Sequence, residues 1–222
     1  MNYPIRINKY LRDIGLASRR EADKLVEDGL VFINNKRAKM GVLVNNGDKV
    51  VVNDSKKQYR YLAYYKPRGL ATQDLPGKKS VITEWKDKGL YPVGRLDKDS
   101  EGLLLLTNDG RFAREILFQS SKYEKEYLVT VKETLRPGII QIFKKGMETK
   151  ELGKLLPAKA KILNKTKLLI ILNEGKKHQI RIMLDNLSYN ITSLKRVRVG
   201  NIEIGNMKSG ETRLIDFNTI LL

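Results

Sequence analysis

The stretch from Gly94 to Gly110, GRLDKDSEGLLLLTNDG, decides how the rest of the chain is read. Arg95, Asp97, Lys98, Asp99 and Glu101 run directly into the four leucines 103–106. A continuous apolar run bounded by Gly102 and by Thr107, Asn108, Asp109 and Gly110 fits a short strand, buried on both faces and closed by a turn. A charged loop therefore enters a core strand. Charges buried without partners are strongly unfavourable, so some of these side chains must line a cleft or pair with one another. By pattern alone, a solvated surface loop stands as the alternative.

Outward from this stretch, the composition narrows the function. Forty-three Lys and Arg against twenty-five Asp and Glu give a net charge of +18 over 222 residues. Such an excess fits a polyanionic partner, nucleic acid before membrane. No apolar stretch approaches the ~20 residues that span a bilayer, and the N-terminus lacks a signal-peptide apolar region, so the expected compartment is the cytoplasm. The absence of cysteine excludes disulfides and thiolate metal sites, and a single histidine does not build a zinc centre. No glycine-rich phosphate loop with its lysine is present. The chemistry is left to carboxylates, tyrosines and basic side chains, with no metal or cofactor expected.

The first fifty residues read as a small basic module. Ile7, Tyr10, Leu11 and Ile14 recur at helical spacing, and Gly15 is placed to stop the helix. Ser18-Arg19-Arg20-Glu21 has the spacing of a capping box, in which serine and glutamate each satisfy the other's backbone N–H. A second helix with Ala22, Leu25 and Val26 on its apolar face ends at Gly29. Short strands follow at Val31-Phe32-Ile33, Val42-Leu43-Val44 and Val50-Val51-Val52, joined by Asn- and Gly-containing turns. Arg6, Lys9, Arg12, Arg19, Arg20 and Lys24 would form one basic surface addressing phosphates, a contact that positions RNA but carries little sequence information. Ordinary solvated helix charge is the alternative for these six.

Asp54 to Arg60 is polar and without apolar period, as a linker is. Beyond it, Tyr61 to Tyr65 reads as a strand ending at Lys66-Pro67-Arg68-Gly69, since proline does not continue a central ladder. Trp85, the only tryptophan, fits a core or lid position. A helix is expected from about Asp109, carrying Phe112, Ala113, Ile116 and Leu117, with the aspartate charge suited to its N-terminus. Tyr127, Val129 and Val131 alternate as on one strand face. Ile139 to Phe143 reads as a short helix and Gly146 to Leu156 as a loop. Lys159 to Leu163 and Lys167 to Leu172 make a strand pair. Gly175 to Arg181 leads into a helix whose apolar face is Ile180, Met183, Leu184 and Leu187. A final strand, Leu194 to Gly200, alternates so that Lys195 lies away from Arg196 and Arg198. Thr212 to Leu222 offers only a closing element.

Gly94-Arg95-Leu96-Asp97 followed by Asp99-Ser100-Glu101-Gly102-Leu103 resembles the catalytic motif of the pseudouridine synthases, specifically the RsuA-like group that modifies ribosomal RNA. Lys66-Pro67-Arg68-Gly69 is similar to the motif that opens the catalytic domain of that family, with Tyr65 where asparagine is more usual. Lys125-Glu126-Tyr127 resembles its second motif, and the run from Glu174 to Arg181 its third, with Ile182 where a second arginine is common. Asn8-Lys9-Tyr10-Leu11, Ser18 to Asp23 and Val31 to Asn34 resemble the alpha-L RNA-binding domain named after the fourth small-subunit ribosomal protein.

The resemblance implies an α+β protein: an alpha-L domain over 1–56, then a catalytic domain over 61–222 with a mixed, mainly antiparallel sheet flanked by helices. It implies isomerisation of a uridine to pseudouridine in ribosomal RNA, the large subunit slightly favoured, with Asp97 as catalytic carboxylate, Tyr127 against the target base and Arg181 paired with Asp97. Arg95, Lys66, Lys177, His178, Arg196 and Arg198 are the further RNA-binding positions it implies. The partner would be ribosomal RNA or a ribosome-assembly intermediate, bound by a monomer. A non-catalytic RNA-binding assembly factor is the competing class, sharing the charge and the first module but needing no aspartate. A glycosidase or nuclease using Asp97 and Asp99 is a third reading, without a metal cluster or a clear second carboxylate.

Overall fold

A computed structural model describes residues 1–53, 58–74, 76–118 and 122–216. These divide into two compact units, one drawn from Met1–Arg60 with Thr107–Glu115, the other from Tyr61–Leu106 with Ile116–Leu222. Positions 54–57 of the expected linker and 217–222 of the expected closing element lie outside the described residues.

In the first unit, β1 (Ile5–Arg6) leads into α1 (Ile7–Asp13), and α2 (Arg19–Glu27) follows. Ser18 caps α2: its Oγ accepts from Glu21 N at 3.3 Å, and Glu21 Oε2 accepts from Ser18 N at 2.8 Å. The reciprocal bonds satisfy two otherwise orphaned donors at the helix start. β2 (Val31–Ile33), β3 (Lys36–Arg37), β4 (Leu43–Val44) and β5 (Val50–Val52) complete the module. Here β2 pairs antiparallel with both β3 and β5, and β1 with β4. Ile7, Leu11, Ala22, Val26 and Val31 form its core with Tyr10 and Leu25 packed against it, whereas Ile14, expected on the same face, follows the end of α1 and is exposed. Arg6, Lys9, Arg19, Arg20 and Lys24 are exposed, whereas Arg12 forms an ion pair with Asp13.

The second unit begins with β6 (Tyr61–Lys66), α3 (Val81–Trp85), β7 (Tyr91–Val93) and β8 (Glu101–Thr107); α4 (Gly110–Phe118) comes next in the chain, its residues up to Glu115 being counted with the first unit. Asp109 Oδ1 accepts from Arg111 N at 3.0 Å, capping that helix start. Then come β9 (Lys125–Val131), α5 (Ile139–Lys145), β10 (Glu148–Thr149), β11 (Gly153–Lys154), β12 (Lys159–Ile162) and β13 (Lys167–Leu172). α6 (Gln179–Asp185), β14 (Ile191–Val199), β15 (Ile202–Glu203) and β16 (Thr212–Leu214) close the order. The stretch 146–156, expected as a loop, contains the β10–β11 hairpin.

One sheet runs β12-β13-β9-β14-β8-β6-β16, with β15 beside β14 and β7 beside β8. β12 with β13, β13 with β9, β9 with β14, β14 with β15 and β6 with β16 pair antiparallel, whereas β14 pairs with β8 in parallel. The α+β architecture with a mixed, mainly antiparallel sheet is thus the observed one. β8 is buried on both faces, as its four leucines require. Leu104 and Leu106 pack with Tyr64, Val81 and Trp85, and the Tyr64 and Trp85 rings meet edge to face with centroids 5.5 Å apart. Burying each leucine contributes roughly 1.5–3 kcal/mol. α5 and α6 cover the β9–β13 side through Ile139, Phe143, Ile180 and Met183.

The register of β14 departs from the simple alternation of its sequence. Arg196 lies opposite Tyr127, and Arg198 lies opposite Glu126, so a bulge at Val197 adds one residue between them. Because side chains alternate along a strand, one extra residue reverses every face beyond it. Arg196 and Arg198 therefore point to opposite faces, where a regular strand would have placed them together.

Candidate active site

Asp97 sits in the loop 94–100, between β7 and β8, and that loop is fixed at several points. Thr72 Oγ1 donates to Leu96 O at 2.6 Å and accepts from Leu96 N at 3.1 Å, and both residues are buried. Ser100 N donates to Asp97 O at 3.1 Å, and Gly69 N to Lys98 O at 2.8 Å. At the loop's exit Gly102 has a φ of +105°, and a Cβ on it would stand 2.3 Å from Arg196 O. Glycine lets β8 approach β14 closely enough to pair Gly102 with Arg196.

The carboxylate of Asp97, 32% exposed, faces two side chains of the third motif, an imidazole and a guanidinium. His178 Nε2 lies 3.3 Å from Oδ1, and Arg181 Nε lies 3.8 Å from Oδ2. Arg181 Nη2 also donates to Ser100 Oγ at 3.0 Å, and Ser100 is buried. One guanidinium thus meets the loop 94–100 at two places. His178 precedes α6 in the left-handed region at φ 56°, which turns the chain so that the imidazole and Arg181 meet the same carboxylate. The connection 174–178 is latched from below: buried Gln179 donates to Glu174 Oε1 at 2.7 Å and accepts from Lys176 N at 3.0 Å. Lys176 Nζ reaches Leu152 O and Lys154 O at 3.0 and 2.8 Å, tying this connection to the β10–β11 hairpin.

The cleft beside Asp97 encloses about 440 Å³, within the range of small-ligand sites. Lys125 and Tyr127 from β9, and Leu194, Arg196 and Val199 from β14, form one wall. The spacing 194, 196, 199 is the bulge seen from the cleft. Burial, and then the charge of Arg196, push the Lys125 ammonium down to about 8. Lys177 and Arg95 also line the cleft and are exposed, with Arg95 Nη1 donating to Gln73 Oε1 at 2.8 Å.

Not every expected RNA contact reaches this space. Lys66 is fully buried: its Nζ donates to Pro67 O at 2.9 Å and to Leu70 O at 2.6 Å, and burial lowers it to about 8 against the opposing pull of Asp97 and Asp99. Buried Arg196 donates from Nε to Leu103 O at 2.7 Å, so it braces β8 while lining the cleft. Arg198 faces the other side of the sheet. Its Nε donates to Glu126 Oε2 at 2.5 Å, Nη2 to Glu124 Oε2 at 3.2 Å and Nη1 to Gly200 O at 2.8 Å. The reason is the bulge, which carries Arg198 past the face that holds Arg196.

Thr72, Ser100 and Lys125 went unread as site residues. Ser100 and Lys125 each lay inside a stretch that resembles a family motif, beside Asp97 and Tyr127, whereas Thr72 lay in none. Tyr65, unassigned by the motif comparison, donates from its hydroxyl to Glu101 Oε2 at 3.0 Å and is pushed up to about 12, by burial first and then by Glu101. It braces the carboxylate that starts β8.

An aspartate met by a histidine and an arginine lies at a cleft with a tyrosine in its wall, on a mixed sheet. The chain belongs to the RNA pseudouridylate synthase family, whose model matches residues 60–186. The model of the S4 domain matches residues 5–50. Among its relatives, the Dual-specificity RNA pseudouridine synthase RluF of Escherichia coli (strain K12) is 36% identical over 219 residues, covering 94% of this chain and 74% of the relative. The Ribosomal large subunit pseudouridine synthase B of Bacillus subtilis (strain 168) is 34% identical over 222 residues, covering 94% of this chain and 91% of the relative. A solved structure described as a crystal structure of pseudouridylate synthase superposes with a TM-score of 0.72 at 25% identity, over 98% of both chains.

Proposed function

We propose that this protein converts a uridine of ribosomal RNA, in the large subunit, to pseudouridine, with Asp97 as the catalytic carboxylate. The observation that carries the reading is the placement of His178 and Arg181 on the two oxygens of Asp97 at the mouth of the cleft. The names of the two relatives supply the substrate class.

The reaction breaks the N1–C1′ glycosidic bond, turns the base and joins C5 to C1′; the C5 proton is lost and N1 gains one, so the isomer has the same atoms. An ionised carboxylate beside C1′ serves as nucleophile, or it stabilises or deprotonates the sugar as the bond breaks. Arg181 and His178 orient it, and fixed partners reduce the reorganisation needed when charge moves. An exposed ion pair contributes little stability, so the pair reads as preorganisation for chemistry. The target uridine leaves its stack to enter the cleft, with Tyr127 as the ring it rests on and Lys125 beside it. Arg95 and Lys177, at the rim, hold the RNA backbone or fill the space the base vacates.

In this reading residues 61–222 carry the catalysis and residues 1–56 dock the RNA. Arg6, Lys9, Arg19, Arg20 and Lys24 contact phosphates there, and the docking weakens with salt. No helix among the described residues is long and apolar enough to cross a membrane.

The experiment is pseudouridine mapping of ribosomal RNA from cells lacking the protein, complemented with the native chain or with Asp97→Ala. Loss of one pseudouridine, restored by the native chain alone, is the expected result. An unchanged map would favour a non-catalytic role in ribosome assembly.

A further inference from the structure

Ser100 belongs to the same loop as Asp97 and is buried, although it lines the cleft. Its backbone and its side chain are both engaged at the site. The backbone N donates to Asp97 O at 3.1 Å, closing a turn over residues 97–100. The Oγ accepts from Arg181 Nη2 at 3.0 Å. One residue thereby ties the backbone of the aspartate to the guanidinium that faces it, although 81 positions separate Ser100 from Arg181.

Of the two contacts that Arg181 makes with this loop, the one to serine is the closer. Arg181 Nε stands 3.8 Å from Asp97 Oδ2, an ion pair but too long for a hydrogen bond. A guanidinium and a carboxylate favour the bidentate fork, with two parallel N–H donors on the two oxygens. Here a buried hydroxyl takes Nη2 instead, and the serine that carries it is itself fixed by the turn to Asp97. A carboxylate acts on the sugar through its lone pairs, whether as nucleophile, as base or as stabiliser of positive charge at C1′. A closed fork would fill both oxygens with donors and weaken them in each of these roles. Arg181 thus supplies charge to Oδ2 without occupying its lone pairs, while His178 Nε2 lies 3.3 Å from Oδ1.

We propose that Ser100 is a positioning residue of the reaction: it holds Arg181 one step short of a closed pair with Asp97, so that the carboxylate faces a cation yet keeps Oδ2 open to the ribose. The assignment rests on the pseudouridine synthase reading above, and the serine acts through Arg181.

The test uses the full chain and an unmodified transcript of the ribosomal RNA segment containing the uridine it modifies. Single turnover with protein in excess separates RNA binding from the chemical step. Ser100→Ala should lower the saturated rate about tenfold, the size of one hydrogen bond to a charged group. The protein concentration that half-saturates the rate should scarcely change. In an Arg181→Met background the same substitution should cost nothing further, because the group that the serine holds is gone. Ser100→Cys, similar in size and a poorer acceptor, should show the same pattern with a smaller loss, and it takes the place of the alanine chain if that one does not fold. A native rate in Ser100→Ala, a change in half-saturation alone, or the same loss with and without Arg181 would overturn the proposal. Absence of any product with the native chain would overturn the function itself, and that result is distinct because it appears without any substitution.

Discussion

Thr72 holds both the backbone N–H and the C=O of Leu96 with a single hydroxyl, accepting from Leu96 N and donating to Leu96 O, one residue before Asp97. The contact crosses 24 residues of sequence and is buried. Thr72→Val keeps the shape and removes both bonds, leaving a buried N–H and C=O unsatisfied at about 1–3 kcal/mol each. Chemical denaturation should report a loss of about 2 kcal/mol, and the turnover rate should fall by more than stability explains, because Asp97 is no longer held in place. Thr72→Ser, which keeps the hydroxyl, should restore most of both.

Gly102→Ala tests the close approach of β8 to β14. The added methyl would meet a backbone carbonyl at 2.3 Å, in a φ region unfavourable to L side chains. Backbone cannot move aside as a side-chain tip does. We expect a loss of about 4 kcal/mol or more, near the upper end for single substitutions, measured as a large fall in the thermal midpoint. An unchanged midpoint would contradict the parallel pairing at this position.

Arg181 should matter for rate and scarcely for stability. Its side chain is 30% exposed, and such pairs are worth about 0–1 kcal/mol. Arg181→Met is expected to lower kcat by about a hundredfold or more, the loss associated with one preorganised charge-stabilising group, while the unfolding free energy changes by less than about 1 kcal/mol. His178→Asn keeps a residue that tolerates positive φ and removes the imidazole. It separates backbone from side chain, and its rate should lie between those of the native chain and Arg181→Met.

Lys125 predicts a pH dependence. Burial lowers its ammonium to about 8, from an ordinary value near 10.5, so the folded protein holds this proton less tightly than the unfolded chain. The unfolded state binds more protons between about pH 8 and 10.5, and this lysine's contribution to stability therefore rises with pH across that window. In the folded protein this cation disappears as the pH rises through about 8, and RNA turnover should fall there. A charged hydrogen bond is worth about 1.5–3 kcal/mol, which corresponds to a drop in kcat/KM of about tenfold. Lys125→Arg remains charged and should lose that limb. A persistent limb in Lys125→Arg would assign it to another group, Lys66 first.

Much of this fold could be read from residues with strong local reasons. Ser18 and Glu21 start α2 because each satisfies the other's backbone, and the leucines of β8 admit only a strand buried on both faces. The elements that escaped are short. α3 has five residues and β10 and β11 two each, too few for any periodicity, and α3 is marked only by Ser80 and Thr83 capping one another. Of the site, the three residues meeting at the carboxylate, Asp97, His178 and Arg181, lie in motifs. Thr72 lies in none, and Ser100, though within the Asp97 motif, shows no role there, because what matters is a contact made across 24 residues by one and 81 by the other. The bulge was hidden by the regular Arg-Val-Arg-Val lettering at 196–199. Only the structure reveals it: Leu194 and Val199 both line the cleft although five residues apart, an odd spacing that an unbroken strand would send to opposite faces.

That extra residue at Val197 makes the strand unusually sensitive to changes in length. Removing Val197 would bring Arg198 round to the cleft and turn Val199 away from it, stripping Glu124 and Glu126 of their shared cation and crowding a third cation between Lys125 and Arg196. A single codon deletion there would exchange a wall for a brace, whereas most conservative replacements of the same valine would leave both in place.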